Sequence, residues 1–121
     1  MSATIIGTTG ATWGLTAETG ILVQRASAKT TREKNVVRNE TGDAVLISYY
    51  NPIQTQSLEG VTTGTTGIVA AVPGVVLTVA NTFPNNGVNA GGIYVDDVEV
   101  AKLNTDFQKI TVNASRYPLI A

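Results

Sequence analysis

Histidine and cysteine are both missing from this 121-residue chain. The first absence removes the commonest general base, and the second removes disulfides and thiolate metal sites. Charged side chains are also scarce, at 14% of the chain, where soluble domains usually carry roughly a quarter. A formal net charge of −1 offers no global attraction to nucleic acid or to an anionic membrane. No apolar run approaches the roughly 20 residues of a membrane helix, and the opening MSATIIGTTGATWG lacks the basic head and apolar centre of a signal peptide. The length suits one domain, residues 1–121, with one modest core and no staples. The shortage of charge points to surface that neighbours cover.

What the chain has in quantity is threonine, eighteen of them, with valine and glycine spread between. Branched side chains favour strands over helices, so the expectation is an all-β fold. Residues 28–60 read as one long, protruding β-hairpin. Its arms meet at NETGD, residues 39–43, where Gly42 takes a positive φ without steric cost and Asn39 and Asp43 close the turn through their side chains. The outgoing arm, residues 44–50, is β-branched, aliphatic and aromatic, and Pro52 is expected to end its ladder. The incoming arm is polar and basic: Arg25, Lys29, Arg32, Lys34 and Arg38 stand against a single acid, Glu33. Such an arm serves as a phosphate-contacting patch, as an edge blunted by charge, or as an electrostatic half-site for a partner. Stacking aromatics, which the first of these wants for bases, are absent from it.

Residues 1–19 are rich in small side chains and read as an extended N-terminal arm. Trp13 either anchors that arm on a partner or packs on the domain's own core. One helical turn is expected over residues 15–20, and a first strand over 20–28 with Leu22 and Val23 central. From residue 60 to residue 95 there is no charge at all. GVTTGTTG in this stretch lacks the Gly-Lys-Ser/Thr ending of a phosphate loop. Residues 75–79 are apolar on both faces apart from Thr78, which predicts a buried central strand.

A second hairpin spans residues 93–117 around LNTD. In its first arm the apolar set moves from Ile93 and Val95 to Val98 and Val100, and strict alternation allows only one of those parities to face inward. A β-bulge at Asp96-Asp97 repairs the register. In the second arm Ile110, Val112 and Ala114 face in, while Lys109, Thr111, Asn113 and Ser115 face out.

The remaining candidates for chemistry are the acids Asp96, Asp97, Glu99 and Asp106. Paired carboxylates serve glycoside hydrolysis or hold Ca²⁺, but the ligand count is low for a calcium loop. No catalytic, cofactor-binding or metal-ligating residue is assigned. A carbohydrate- or cation-binding module built on Asp96, Asp97 and Glu99, with Tyr94 beside them, is the alternative from another functional class. These acids also complement the basic arm. They meet it either within the fold or in a second copy, head to tail, and contacts of the second kind close into rings. The candidate subunit interface is therefore Trp13, Arg25, Lys29, Arg32, Lys34, Arg38, Asp96, Asp97, Glu99 and Asp106.

The stretch TREKNVVRNETGDAVLISYYNPIQTQSLEG resembles a pattern in small structural proteins of tailed-bacteriophage virions, tail-tube-like ones in particular. A charged strand, a Gly-Asp turn, an aliphatic-aromatic strand and a Ser-Leu-Glu-Gly segment follow in that order. The end, VEVAKLNTDFQKITVNASRYPLI, and the start, GTTGATWG followed by AETGI, are similar too. The resemblance implies a single-domain antiparallel β-sandwich that assembles in many copies, with the hairpin joining subunits or stacked rings. It implies a virion protein assembled in the host bacterial cytoplasm, with copies of itself and other virion proteins as partners. Neither a membrane, a small-molecule substrate nor specific nucleic-acid binding is implied, although a tube lumen faces DNA. The chain is short for a tube subunit, and a trimeric capsid-decoration (cement) protein gripping the shell by its N-terminal arm is the competing role.

Overall fold

Threonine, valine and isoleucine alternate with polar residues over long stretches, and the chain answers with strands. The computed structural model describes residues 4–84, 86–88 and 91–120. Four strands form one antiparallel sheet: β1 (Ile21–Arg38), β2 (Ala44–Thr62), β3 (Ile93–Ala101) and β4 (Lys109–Arg116), in the order β1-β2-β4-β3. Among the described residues, a single 3₁₀ turn, Gly67–Ala70, is the other regular element. The antiparallel all-β expectation holds. The described strands lie in one sheet, however, and not in the two of a sandwich. The glycine-, threonine- and proline-rich chain between β2 and β3 makes turns where a second ladder would be needed, and it covers one face of the sheet as irregular chain.

β1 and β2 pair from Ile21 opposite Thr62 to Arg38 opposite Ala44. The turn between them is closed as its residues dictate. Gly42 sits at φ 88 and donates to the Asn39 carbonyl at 3.0 Å, while Asn39 Oδ1 accepts from the backbone of Thr41 (3.1 Å) and Asp43 (3.0 Å). Pro52 does not end the ladder, contrary to the sequence expectation. Thr31 faces Ile53 and Glu33 faces Tyr50, so Arg32 opposes two residues, Asn51 and Pro52. A bulge of this kind leaves the proline nitrogen outside the hydrogen-bond pattern. Asn51 takes the left-handed conformation (φ 52) there and donates from Nδ2 to Glu33 Oε2 at 2.7 Å. The first strand and the basic arm, read separately in the sequence, are thus one continuous strand.

β4 pairs with β2 only from Gln54 to Val61. Beyond Gln54, β1 and β2 continue as a two-stranded ribbon. The core lies under the four-stranded part: Ile21, Leu58, Ile68, Leu77, Val95, Ile110, Val112 and Ala114 form one buried cluster. Ile110, Val112 and Ala114 face inward as expected. Ser115 does not face solvent; it is buried, and its hydroxyl donates to the Asp96 carboxylate. The extra residue of the expected bulge is Asp96, since Val95 faces Ala114 and Asp97 faces Asn113.

Residues 75–79 do not form the buried central strand that their hydropathy predicts. Val75 and Val76 are more than half exposed and Leu77 alone is buried. The stretch lies beside β3, with Leu77 N donating to the Ile93 carbonyl (2.8 Å) and Val95 N to the Val75 carbonyl (3.0 Å). With only one face covered, alternation lets one side chain in and turns its neighbours out. The helical turn expected over residues 15–20 is a tight turn instead, with Glu18 bridged to Ile21. It is held from outside: the Glu18 carboxylate accepts the backbone N–H of Ala80 (2.8 Å) and Asn81 (3.0 Å), and Asn81 Oδ1 accepts Thr16 N–H (2.8 Å).

Candidate assembly surfaces

Every one of the ten residues marked by the sequence is exposed. The strand order decides which of them meet. Arg25, Lys29, Arg32, Lys34 and Arg38 all lie on β1, at one end of the sheet, and Asp96, Asp97 and Glu99 lie on β3, at the other end. Three inter-strand steps of about 4.8 Å put the two sets about 14 Å apart, beyond ion-pair reach. The possibility that these charges satisfy each other within one chain is thereby removed. Arg32 donates instead to the Gly87 carbonyl (3.4 Å), and Arg38 to the Gly42 carbonyl of its own turn (3.1 Å).

On the acidic side, Asp97 Oδ1 accepts from Asn113 Nδ2 at 2.7 Å, and Asp96 takes the Ser115 hydroxyl. Asp106 is apart from them, in the loop after β3, and pairs with Lys109 at 3.1 Å. Among the described residues, no three acidic side chains converge as a metal site. The Asp106 carboxylate is held below the ordinary aspartate value, first by the Phe107 N–H (2.8 Å) and then by Lys109. A depressed folded-state value means a contribution to stability that is present above the ordinary value and lost as pH falls through the folded one. Lys109→Ala is accordingly expected to raise the Asp106 midpoint only part of the way, because the backbone donor remains. A carboxyl titration followed by NMR measures this, and full return to the ordinary value would mean that the lysine is the main cause.

The apolar surface is larger than the charge pattern suggests. Beyond the bulge, paired residues share a face of the ribbon, so Ile47 sits with Val36 and Tyr49 with Lys34 on one side. Leu46 sits with Val37, and Tyr50 with Glu33, on the other. Val45, Leu46, Ile47, Tyr49 and Tyr50 are all exposed, Leu46 to 67%. Each face thus presents an exposed hydrophobic stripe, with Asn86 near Tyr49 at the inner end of one of them. The outgoing arm was legible as an apolar run, but its two-sided exposure follows only from where β4 stops.

The N-terminal segment behaves in the same way. Among the described residues its first tether is Thr16, and Trp13 before that point is 70% exposed, so packing on the domain's own core is excluded. Between the bulge of the β1–β2 ribbon and the C-terminal segment lies a cleft of about 750 Å³, walled by Arg32, Asn51, Pro52, Tyr117 and Leu119 among others. The Glu18–Asn81 anchor that fixes the root of the N-terminal segment was missed in the sequence. Its partners are more than sixty positions apart and no local pattern marks them. No protein-family model, curated protein or solved structure matches this chain.

Proposed function

We propose that this chain is a non-enzymatic structural subunit of a bacteriophage particle that works by assembling with copies of itself, as a tail-tube-like subunit. One observation carries this reading: the β1–β2 ribbon leaves apolar stripes on both faces uncovered. Contiguous exposed apolar surface rimmed by charge marks a protein contact. A ribbon apolar on both sides is suited to lie between two neighbours. The virion resemblance of the same residues supports the assignment to a phage particle.

The capsid-decoration role is favoured by a different feature, the exposed segment carrying Ile6 and Trp13, which suits gripping a preformed shell. Mass in solution followed by negative-stain imaging separates the two. Hexameric rings or tubes are expected for the tail role and trimers for decoration. A chain that stays monomeric at high concentration overturns self-assembly.

A further inference from the structure

Four asparagine side chains of this protein are held by the fold. Asn39 Oδ1 accepts from Thr41 and Asp43, and Asn51 Nδ2 donates to Glu33. Asn81 is gripped by Glu18 and Thr16, and Asn113 donates to Asp97. Asn51 is in addition followed by Pro52, which has no N–H. Asn35 and Asn104 make no such bond among the described residues, but Val36 and Thr105 follow them. Branched side chains there crowd the next backbone nitrogen.

Asn86 escapes every one of these restraints. Its side chain is exposed and, among the described residues, makes no hydrogen bond. The residue after it is Gly87, which has no Cβ to shield its nitrogen. Both take the left-handed conformation, at φ 50 and φ 90, as Asn-Gly turns do. The one described hydrogen bond to the pair is long, from Arg32 Nη2 to the Gly87 carbonyl at 3.4 Å. A turn so lightly tied opens locally at small cost, which lets the Gly87 nitrogen reach the carboxamide beside it.

We propose that Asn86-Gly87 is a self-modification site, where the chain deamidates without an enzyme. The Gly87 nitrogen attacks Asn86 Cγ. The N–Cγ bond forms as the Cγ–Nδ2 bond breaks, and Nδ2 leaves as ammonia with the proton that Gly87 gives up. The attack is intramolecular and closes a five-membered succinimide, which favours it over direct hydrolysis by solvent. Water then opens the ring. Addition at Cγ gives aspartate; addition at the main-chain carbonyl of residue 86 gives isoaspartate. Either product carries one more negative charge than the starting protein. Asn86 lines an open cleft of about 440 Å³ with Thr30, Thr31, Arg32 and Tyr49, so the new carboxylate arises in a wall shared with the Arg32 guanidinium. Isoaspartate also lengthens the backbone by a methylene and shifts the Gly87 carbonyl that Arg32 holds. The root of the ribbon thereby carries a mark of the protein's age.

The test is timed incubation of the full chain in mildly alkaline and mildly acidic buffer, followed by peptide mapping with mass spectrometry. Labelling by an isoaspartyl methyltransferase reports the isoaspartyl product. Amide loss at Asn86 is expected to exceed that at Asn39, Asn51 or Asn113 by about tenfold or more. It is expected to be faster in alkali, because the attacking nitrogen must lose its proton. Asn86→Gln, which would have to close a six-membered ring, is expected to lose the isoaspartyl label. Should glutamine disturb the left-handed turn, as circular dichroism would show, Asn86→Gly keeps that conformation and must also remove the label. An unstructured peptide spanning the turn sets the clock. Asn86 left intact in the folded chain while that peptide is converted overturns the site, as does amide loss spread evenly over the asparagines.

Discussion

Replacing Leu46 and Ile47 with aspartate, one on each face of the β1–β2 ribbon, is expected to abolish self-assembly and leave a folded monomer. In the single chain both side chains are exposed, at 67% and 53%, and they touch no part of the core cluster. Substitutions at such positions usually change stability by about 0.5 kcal/mol or less. In an assembly that covers both stripes the same side chains are buried, each contributing about 1.5–3 kcal/mol. Losing both contributions lowers association by about a hundredfold or more. A carboxylate forced into the same dry contact adds a desolvation penalty. Aspartate also disfavours strands, so Leu46→Thr/Ile47→Thr serves as the control with retained strand preference and an intermediate loss is expected from it. Sedimentation velocity and thermal melting of the same samples check both halves. Unchanged association in the aspartate variant would remove the ribbon from the interface.

The largest loss of stability is expected from Ile110→Ala. Ile110 is wholly buried in β4, between Gly60 of β2 and Val100 of β3, with a continuous sheet on either side. A site hydrogen-bonded to neighbouring strands on both edges cannot collapse to fill the space, so the full cavity cost of about 2–5 kcal/mol applies. Against the usual total of about 5–15 kcal/mol this is a large share, and the melting temperature falls by about 10 °C or more. Val100→Ala removes a side chain from the position directly across the ladder, but one that is 49% exposed, and it is expected to cost about 1 kcal/mol or less. Denaturation at concentrations where the chain is monomeric isolates these effects from assembly. Equal losses at the two positions would mean that the core reaches the β3 edge and that Val100 is covered as well as Ile110.

The pairing of these two experiments follows from how the chain divides its apolar residues. The chain without charge between β2 and β3 supplies the cover over the four-stranded part, through Ile68 and Leu77. Among the described residues, this chain meets the outer ribbon only at its root, where Gly87 accepts from Arg32 and Asn86 lies near Tyr49. The rigid connection between cover and sheet is made by close backbone approach. A Cβ on Gly20 would meet the Thr66 carbonyl, and Gly67 lies as close to Thr19, whose carbonyl accepts Ile68 N–H at 3.0 Å.

Local chemistry was readable without coordinates. The 39–43 turn followed from Gly42 and Asn39, the inward set Ile110, Val112 and Ala114 from a period of two, and the bulge at Asp96 from a change of parity. Each depends on residues within a few positions of one another, where steric preference and alternation act directly. Pro52 misled because a proline ends a regular ladder, and only the register against β1 showed a bulge able to hold it. Residues 75–79 misled because hydropathy reports what can be buried, whereas the available cover decides what is. Ser115, Glu18 and Asn81 found their partners across long stretches of chain, which no periodicity encodes. The sequence by itself determined the all-β class, the turns and the presence of opposite charge sets. The strand order β1-β2-β4-β3 was decided by the tertiary pairing of β2 with β4, and it sends those charges to opposite edges and leaves the outer ribbon bare.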